Sequence, residues 1–166
     1  MKTRLFLLLA MLSVAITHAD AQKIGYLNTS DLLKVMPEVK RADSLLTAFA
    51  TEAQSIYDGY LREYNNLLGD YTANAKTWSD IKVETVETDL GNMQIRLNDF
   101  EAKSNDKLAA RKQELYTPIL DNIQAKVKEV GAEGKFTTIL DASAMLYIGA
   151  DCVDVMPLMK KKLGIQ

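Results

Sequence analysis

The chain is poor in the residues from which catalytic and metal sites are built. Its 166 residues include one cysteine, Cys152, and one histidine, His18. A single cysteine excludes an intramolecular disulfide framework, and the Cys and His pairs that hold structural zinc are missing. The sequence shows neither a Gly-rich phosphate loop nor a nucleophile–base constellation. We therefore predict no catalytic residues, no metal site and no cofactor, and a stability that comes from packing or assembly.

Long apolar runs are scarce too, and the most conspicuous one opens the chain. Leu5 to Ile16 is a run of 12 residues, short of the roughly 20 that span a bilayer. Two basic residues precede it and the small-x-small pattern Ala19-Asp20-Ala21 follows it, as in cleaved secretory signals. Residues 1–21 are therefore predicted to be a signal peptide cleaved after Ala21. The mature protein is expected to be exported, without stable membrane insertion.

An excess of positive charge is also missing. The chain carries 20 Lys+Arg and 22 Asp+Glu, and Lys2, Arg4 and Asp20 lie in the signal, which leaves 18 against 21 and a mature net charge of -3. No electrostatic footprint for nucleic acid is present, so no nucleic-acid partner is predicted. Cys152 is expected to be a small buried hydrophobe, with a bridge between chains as the alternative.

Two apolar stripes with helical spacing dominate the rest of the sequence. Pro37 marks the start of the first helix, whose stripe has spacings of three and four residues: Leu46, Phe49, Ala53, Ile56, Tyr60, Tyr64, Leu67 and Tyr71. The second stripe has the rhythm of a coiled-coil seam: Val83, Val86, Leu90, Met93, Leu97 and Phe100. Beyond it the seam is predicted to shift by one residue, onto Leu108 and Leu115.

The two stripes predict a long antiparallel helical hairpin, a coiled-coil arm over residues 38–117. Thr77 and Asp80 form a capping-box pattern, which places the tip near residue 77. Pro37 and Pro118 are almost equidistant from that tip, and about 40 residues a side would project on the order of 60 Å. Glycines inside both helices are expected to soften the arm.

The ends of the chain predict a small β-containing body, residues 22–37 and 118–166. Strands are expected at 23–28, 136–140 and 145–148, the last two joined by a hairpin or a tight connection. Asn28 and Asp31 form a capping-box pattern that opens a short helix at 29–35, and the return helix of the arm should continue past Pro118 and end near Gly131 or Gly134. A tail helix is expected at 157–163, and Gly164 closes it. The fold class is therefore α+β and mostly α. Three short strands make a thin core, which favours oligomerisation. The candidate oligomerisation residues are Ile24, Tyr26, Ile139, Leu140 and Tyr147.

These segments together resemble the Skp (OmpH) family of periplasmic chaperones. The resemblance rests on the signal peptide, Lys23-Ile-Gly-Tyr-Leu-Asn28, the long hairpin, Thr137-Thr-Ile-Leu-Asp-Ala-Ser143 with Tyr147, and Asp154 to Leu163. It implies a periplasmic homotrimer whose strands form a shared β-barrel body. It also implies an ATP-independent holdase whose helical arms enclose unfolded outer-membrane proteins in a cavity.

Two departures from the family pattern have consequences. Met156 stands where the family usually has a hydroxyl residue that can cap the last helix, so that cap must be replaced or lost. Known members are strongly basic, whereas residues 38–117 here carry 10 Lys+Arg against 14 Asp+Glu. Attraction to acidic clients or to lipopolysaccharide is therefore in question.

The aromatic residues of the arm allow two interpretations. Tyr57, Tyr60, Tyr64 and Tyr71, with Trp78 at the tip, are more aromatic rings than one narrow seam needs. They are either all seam residues, or several of them contact apolar client segments, as amphipathic rings do at interfaces. The alternative function for the whole chain is an exported coiled-coil scaffold or adaptor that binds one folded partner.

Overall fold

The computed structural model describes residues 22–165, so the predicted signal peptide lies outside the described residues. The elements are β1 (Ile24–Leu27), α1 (Thr29–Val35), α2 (Pro37–Asn74), α3 (Asp80–Glu133), β2 (Thr138–Asp141), β3 (Val153–Asp154) and α4 (Met156–Leu163). Short 3-10 turns occupy Ala75–Thr77 and Ala142–Ala144. The protein is thus mostly helical with a small sheet, which confirms the predicted α+β class. No helix within residues 22–165 combines the length and the apolar character that a membrane span requires.

The chain divides into two compact units. One is Leu33–Ile123, which we call the arm unit, and the other joins the first 32 residues to Gln124–Gln166, of which 22–32 and 124–165 are described. We call the second the body unit. The predicted division at residues 38 and 117 stays a prediction.

In the arm unit the break between the long helices is capped differently from the prediction. The hydroxyl of Thr77 donates to the carbonyl of Asn74 at 2.7 Å, so the predicted cap at Thr77 is wrong. Ser79 Oγ instead accepts the amide of Lys82 at 3.4 Å. Thr77 still belongs to the 3-10 turn, where its hydroxyl reaches back to a free carbonyl, and Ser79 is the residue directly before the helix.

The residues of α2 and α3 that contact each other are ordered in opposite directions: as the residue number rises along α2, the number of the partner in α3 falls. Asp43 meets Tyr116, Tyr60 meets Phe100, and Tyr71 meets Glu87. In α3 Val86 and Leu97 are buried and the other four predicted seam residues are half-buried, as the stripe predicted.

The seam differs from the prediction at one point on α2 and matches it further along α3. Ile56 is exposed, and its neighbour Tyr57 is half-buried in its place. The 3-4 spacing permits either residue, because the two are about 100° apart around the helix and lie on opposite edges of the stripe. On α3, Leu108 and Leu115 are half-buried while Lys107 is exposed, which confirms the shift of the seam beyond Phe100.

The C-terminal end of α3 corrects a second capping prediction. The helix runs through Pro118 to Glu133, as expected, but the left-handed residue that follows is Lys135, with φ of 51°, and not a glycine. The amides of Phe136 and Lys135 bond the carbonyls of Gly131 and Ala132 at 2.9 and 3.3 Å, which is the Schellman arrangement. Gly134 is needed for another reason, since a Cβ there would collide with the ring of Phe136.

The sheet of the body unit is parallel, in the order β2-β1-β3. Ile24 pairs with Thr138 and Gly25 with Val153, so the N-terminal strand lies between two C-terminal ones. The predicted strand at 145–148 and its hairpin are therefore wrong. Its apolar residues pack against little, since Leu146 and Tyr147 are 107% and 83% exposed, and the third strand is the two-residue Val153–Asp154.

One face of the sheet carries the core of the body unit. Leu27, Leu32, Val130, Val155 and Met159 are buried there. The backbone of β1 approaches this core closely at Gly25, where an added Cβ would lie 3.0 Å from Val155 Cγ1 and 3.1 Å from both Ile139 Cγ1 and Phe136 Cδ1. An alanine at this position would require these three side chains to move by a few tenths of an ångström.

The tail helix α4 begins and ends as its sequence requires. Asp154 Oδ1 accepts the amide of Met156 at 2.8 Å, so a carboxylate replaces the hydroxyl cap that the family pattern led us to expect. Gly164 ends the helix with φ of 68°, as predicted. Lys162 Nζ lies 2.6 Å from Glu133 Oε1 and 3.9 Å from Glu129 Oε2, which ties α4 to the end of α3.

Candidate functional site

The candidate aromatic residues of the arm unit lie on or beside the seam. Tyr57, Tyr60, Tyr64, Tyr71 and Trp78 are all half-buried. The ring of Tyr60 meets Phe100 edge-on with centroids 5.4 Å apart, and the guanidinium of Arg96 lies 4.0 Å from the centre of the Tyr60 ring. Tyr60 therefore joins the two helices, and its ring contacts both Phe100 and Arg96 of α3.

At the tip, Tyr71 and Trp78 form a second aromatic pair. Their centroids are 6.2 Å apart at an angle of 63°, and the ammonium of Lys82 lies 4.2 Å from the centre of the Trp78 ring. Such cation–π contacts are favourable at exposed sites by about 0.5–1 kcal/mol. Trp78 therefore helps to fold the turn between α2 and α3. The role of the five aromatic residues in client contact stays a prediction.

Two tyrosine–carboxylate hydrogen bonds join the helices, one near each end of the arm unit. The hydroxyl of Tyr71 donates to Glu87 and the hydroxyl of Tyr116 donates to Asp43, the latter at 2.5 Å. Each bond raises the pKa of its tyrosine above the ordinary value of 10.0, because the neutral phenol is the form that donates. These polar bonds connect α2 and α3 beside the buried apolar residues Ala42, Ile119 and Val86.

Between these two bonds the helices separate into a cleft at the point where the seam shifts. Its volume is about 260 Å³, and its lining includes Phe49, Ala53, Tyr57, Phe100 and Leu108. The lining combines aromatic and small residues with amides and one carboxylate. Such a surface suits adaptable contact with apolar side chains, and Tyr57 is the one predicted contact residue that lines it.

The candidate oligomerisation residues fall on both faces of the sheet. In β1, Gly25 and Leu27 are buried while Ile24 and Tyr26 are half-buried, so the latter two face away from the core. Leu140 pairs with Tyr26 and is exposed. Ile139 pairs with Gly25 and packs toward the core, since its Cδ1 lies 3.7 Å from where a Cβ of Gly131 would stand. Tyr147 is strongly exposed and lies outside the sheet.

Three strongly exposed aliphatic side chains were not among the candidates from sequence. Ile81 and Ile95 on α3 are 79% and 62% exposed, and Leu146 follows β2. A signal for the first two was present, because both fall off the 3-4 stripe of α3 and must point away from α2. The exposure of Leu146 had no such signal, since its apolar neighbours resemble a strand.

A metal site in this part of the chain would need several His, Cys, Asp or Glu side chains close together. Among residues 22–165, no group of three or more His, Cys, Asp or Glu is placed to hold a metal ion. Cys152 is half-buried and is a free thiol.

Comparison with known proteins identifies the family. The model of the family "Outer membrane protein (OmpH-like)" matches residues 23–163. A crystal structure from Caulobacter crescentus CB15, of a candidate outer membrane chaperone described as OmpH-like, is similar with a TM-score of 0.69 and 15% identity. The match covers 89% of this chain and 87% of that one. No curated protein matches the chain. Because the family match spans nearly all of the described residues, the chain belongs to the OmpH-like (Skp) family.

Proposed function

We propose that this protein is a non-enzymatic, ATP-independent holdase that binds unfolded outer-membrane proteins in the periplasm. The observation that carries the proposal is the family match over residues 23–163. The arm unit supports it physically, because its two helices bury only a narrow seam and leave a cleft lined by adaptable side chains. Many weak contacts of this kind suit a client without fixed structure, and they would cover apolar strands that otherwise pair and aggregate.

The antiparallel hairpin is part of the same proposal. The contacts of Tyr116, Phe100 and Glu87 with α2 support it, since each pair is centred near Ser79. In the proposed chaperone, this hairpin is the arm that contacts the client.

Aggregation suppression tests the holdase. A purified outer-membrane β-barrel protein is diluted from urea into buffer with mature protein, residues 22–166, and light scattering is followed. We expect scattering to fall as the chaperone is raised to molar excess, without added nucleotide. Unchanged scattering at excess would overturn the proposal. Capture of one folded partner at fixed stoichiometry in cross-linked periplasm would instead favour the scaffold.

The body unit is proposed to form a homotrimer through the face of the sheet that lacks a core. Parallel sheets normally have both faces covered, yet here Leu140, which pairs with Tyr26, is exposed, as are Leu146 and Tyr147 in the loop after β2. Copies of the chain would bury them in a shared barrel. This assembly would also protect the edges of β2 and β3.

A charged substitution tests the trimer. Leu146→Asp introduces a carboxylate at a site that the trimer would bury, so we expect a shift toward monomer in native mass spectrometry. Ala150→Asp adds the same charge at an exposed site in the same loop and serves as the control. A wild-type protein that is monomeric at assay concentrations would contradict the trimer.

A further inference from the structure

One face of α3 points away from α2 and is occupied by nothing in the arm unit. It consists of Ile81, Glu84, Thr85, Thr88, Asn92 and Ile95, and we call it the outer face. All six residues are exposed, and around the helix they lie on the side opposite the buried Val86 and Leu97. The outer face therefore runs along about four turns of the helix, with a large aliphatic side chain at each end.

The outer face is more apolar than its sequence suggests. The hydroxyl of Thr85 donates to the carbonyl of Ile81 at 2.8 Å, and that of Thr88 donates to Glu84 at 2.9 Å. Both hydroxyl protons are thus used within the helix, which leaves the threonine methyl groups as the outward contact. Two isoleucines and two threonine methyl groups therefore form an aliphatic stripe that Asn92 interrupts between Thr88 and Ile95.

The cations around this stripe already contact other residues, whereas two carboxylates form no ion pair within the described residues. Residues 80–103 hold three cations, and each is engaged: Lys82 lies over Trp78, Arg96 over Tyr60, and Lys103 pairs with Asp99 at 3.4 Å. Glu84, within the face, and Asp89, beside it, are exposed, and no ion pair within residues 22–165 involves either of them. The surface therefore offers carboxylates without competing cations.

We propose that the outer face of α3 docks extended client segments that carry lysine or arginine among apolar residues. The proposal rests on the holdase function and specifies which part of a client this surface selects. Complementarity decides the occupant: the aliphatic stripe would bury apolar side chains, while Glu84 and Asp89 would pair with cations on either side of them. A second copy of the same acidic face would be repelled.

Binding of matched peptides tests the selection. Two short fluorescein-labelled peptides share alternating valines and serines and differ only in having lysines or glutamates at the same positions. We expect mature protein to bind the lysine peptide more tightly by about tenfold at low salt, with the difference lost at high salt. Equal binding of the two peptides would overturn the proposal.

Matched variants locate the binding on the outer face. Glu84→Gln with Asp89→Asn should reduce the preference about fivefold, because each removes one exposed charge pair. Glu52→Gln with Glu63→Gln makes the same change in net charge on α2 and should leave the preference intact. An equal loss in both double variants would mean that net charge alone acts, and would overturn the docked face.

The aliphatic stripe needs its own variant. Ile81→Ser with Ile95→Ser should weaken the lysine peptide about tenfold while far-UV circular dichroism stays unchanged, since both side chains are exposed. Unaltered affinity, or a changed oligomer mass that reveals a second copy as the occupant, would overturn the proposal. Aggregation suppression measured in parallel separates this proposal from the holdase function. If the wild-type protein shows no peptide preference but still suppresses aggregation, only the docking role of the outer face is refuted. If the wild-type protein does not suppress aggregation, the holdase function is refuted.

Discussion

Replacing glycine by alanine should have opposite effects on stability in the two units of this protein. At Gly25 an added Cβ would stand 3.0–3.1 Å from three side chains of the body core, well inside the 3.5–4.0 Å at which carbon atoms attract. Two of these neighbours are β-branched and one is an aromatic ring, so they cannot all move aside. We expect Gly25→Ala to lower the free energy of unfolding by about 1–3 kcal/mol, as overpacked cores do.

The arm glycines provide the matched comparison. A Cβ at Gly69 or Gly91 would meet no atom within 4 Å, and both residues lie inside long helices. Each alanine should therefore raise the free energy of unfolding by about 0.8–1 kcal/mol through helix propensity alone. With a urea dependence of about 2 kcal/mol per M, the midpoint should rise by about 0.5 M.

Two signals separate the units in one urea titration at fixed protein concentration. The single tryptophan, Trp78, lies at the arm tip, so its fluorescence reports the arm unit, while far-UV circular dichroism reports the helices of both. Gly91→Ala should move the fluorescence midpoint upward. A stabilising Gly25→Ala, or a destabilising Gly91→Ala, would refute the contacts on which this reasoning depends. A stiffened arm that also holds fewer kinds of client would support the predicted role of glycine in softening it.

Four further substitutions test the body unit. Met159→Ala should lower the free energy of unfolding in urea by about 2–5 kcal/mol, because Met159 is 0% exposed. The adjacent Leu158→Ala, at a 43% exposed site, should lower it by less than about 1 kcal/mol. Equal losses in the two variants would contradict the packing of α4. Lys135→Gly should raise the melting temperature, since a non-glycine residue at φ of 51° is strained by about 1–2 kcal/mol. The Ser143 amide, with Thr29, holds the pKa of Asp141 below its ordinary value of 3.8, so the ionised form stabilises the fold. That advantage over Asp141→Asn should be complete above about pH 4 and shrink as pH falls through the lowered pKa in thermal melts; a constant difference from pH 7 to acid would exclude it.

The sequence predicted those elements whose signal is local. β1, α1 and the tail helix follow from short patterns, and the amide of Asp31 does bond Asn28 at 3.1 Å as the cap predicted. The shift of the α3 seam followed from the order of apolar residues alone. The prediction of the third strand was wrong because a sequence pattern for strands reflects apolar character. The strand Val153–Asp154 instead depends on pairing with Gly25 and Tyr26, which are distant in the sequence.

The candidate site was less predictable than the fold. Whether Tyr57 or Ile56 faces the neighbouring helix depends on the rotation of α2, which a 3-4 repeat leaves open by about 100°, the angle between consecutive residues. The outer face of α3 could be predicted from the sequence only in part: Ile81 and Ile95 are apolar residues that do not belong to the seam, which makes their exposure predictable. The engagement of Lys82, Arg96 and Lys103 could not be foreseen, since it depends on which ring or carboxylate each cation reaches in three dimensions.

The position of β1 between two strands from the other end of the chain has a consequence for the order of folding. Ile24 pairs with Thr138, so the sheet cannot begin to form until more than a hundred further residues have been synthesised after β1. The helices of the arm make local contacts near their turn and can form within that interval, whereas distant pairings are slow because a long loop must close. We therefore expect each new copy to have a folded arm while its own first strand is still unpaired, and under the proposed holdase function a copy in this state would itself be a client of copies that have already folded.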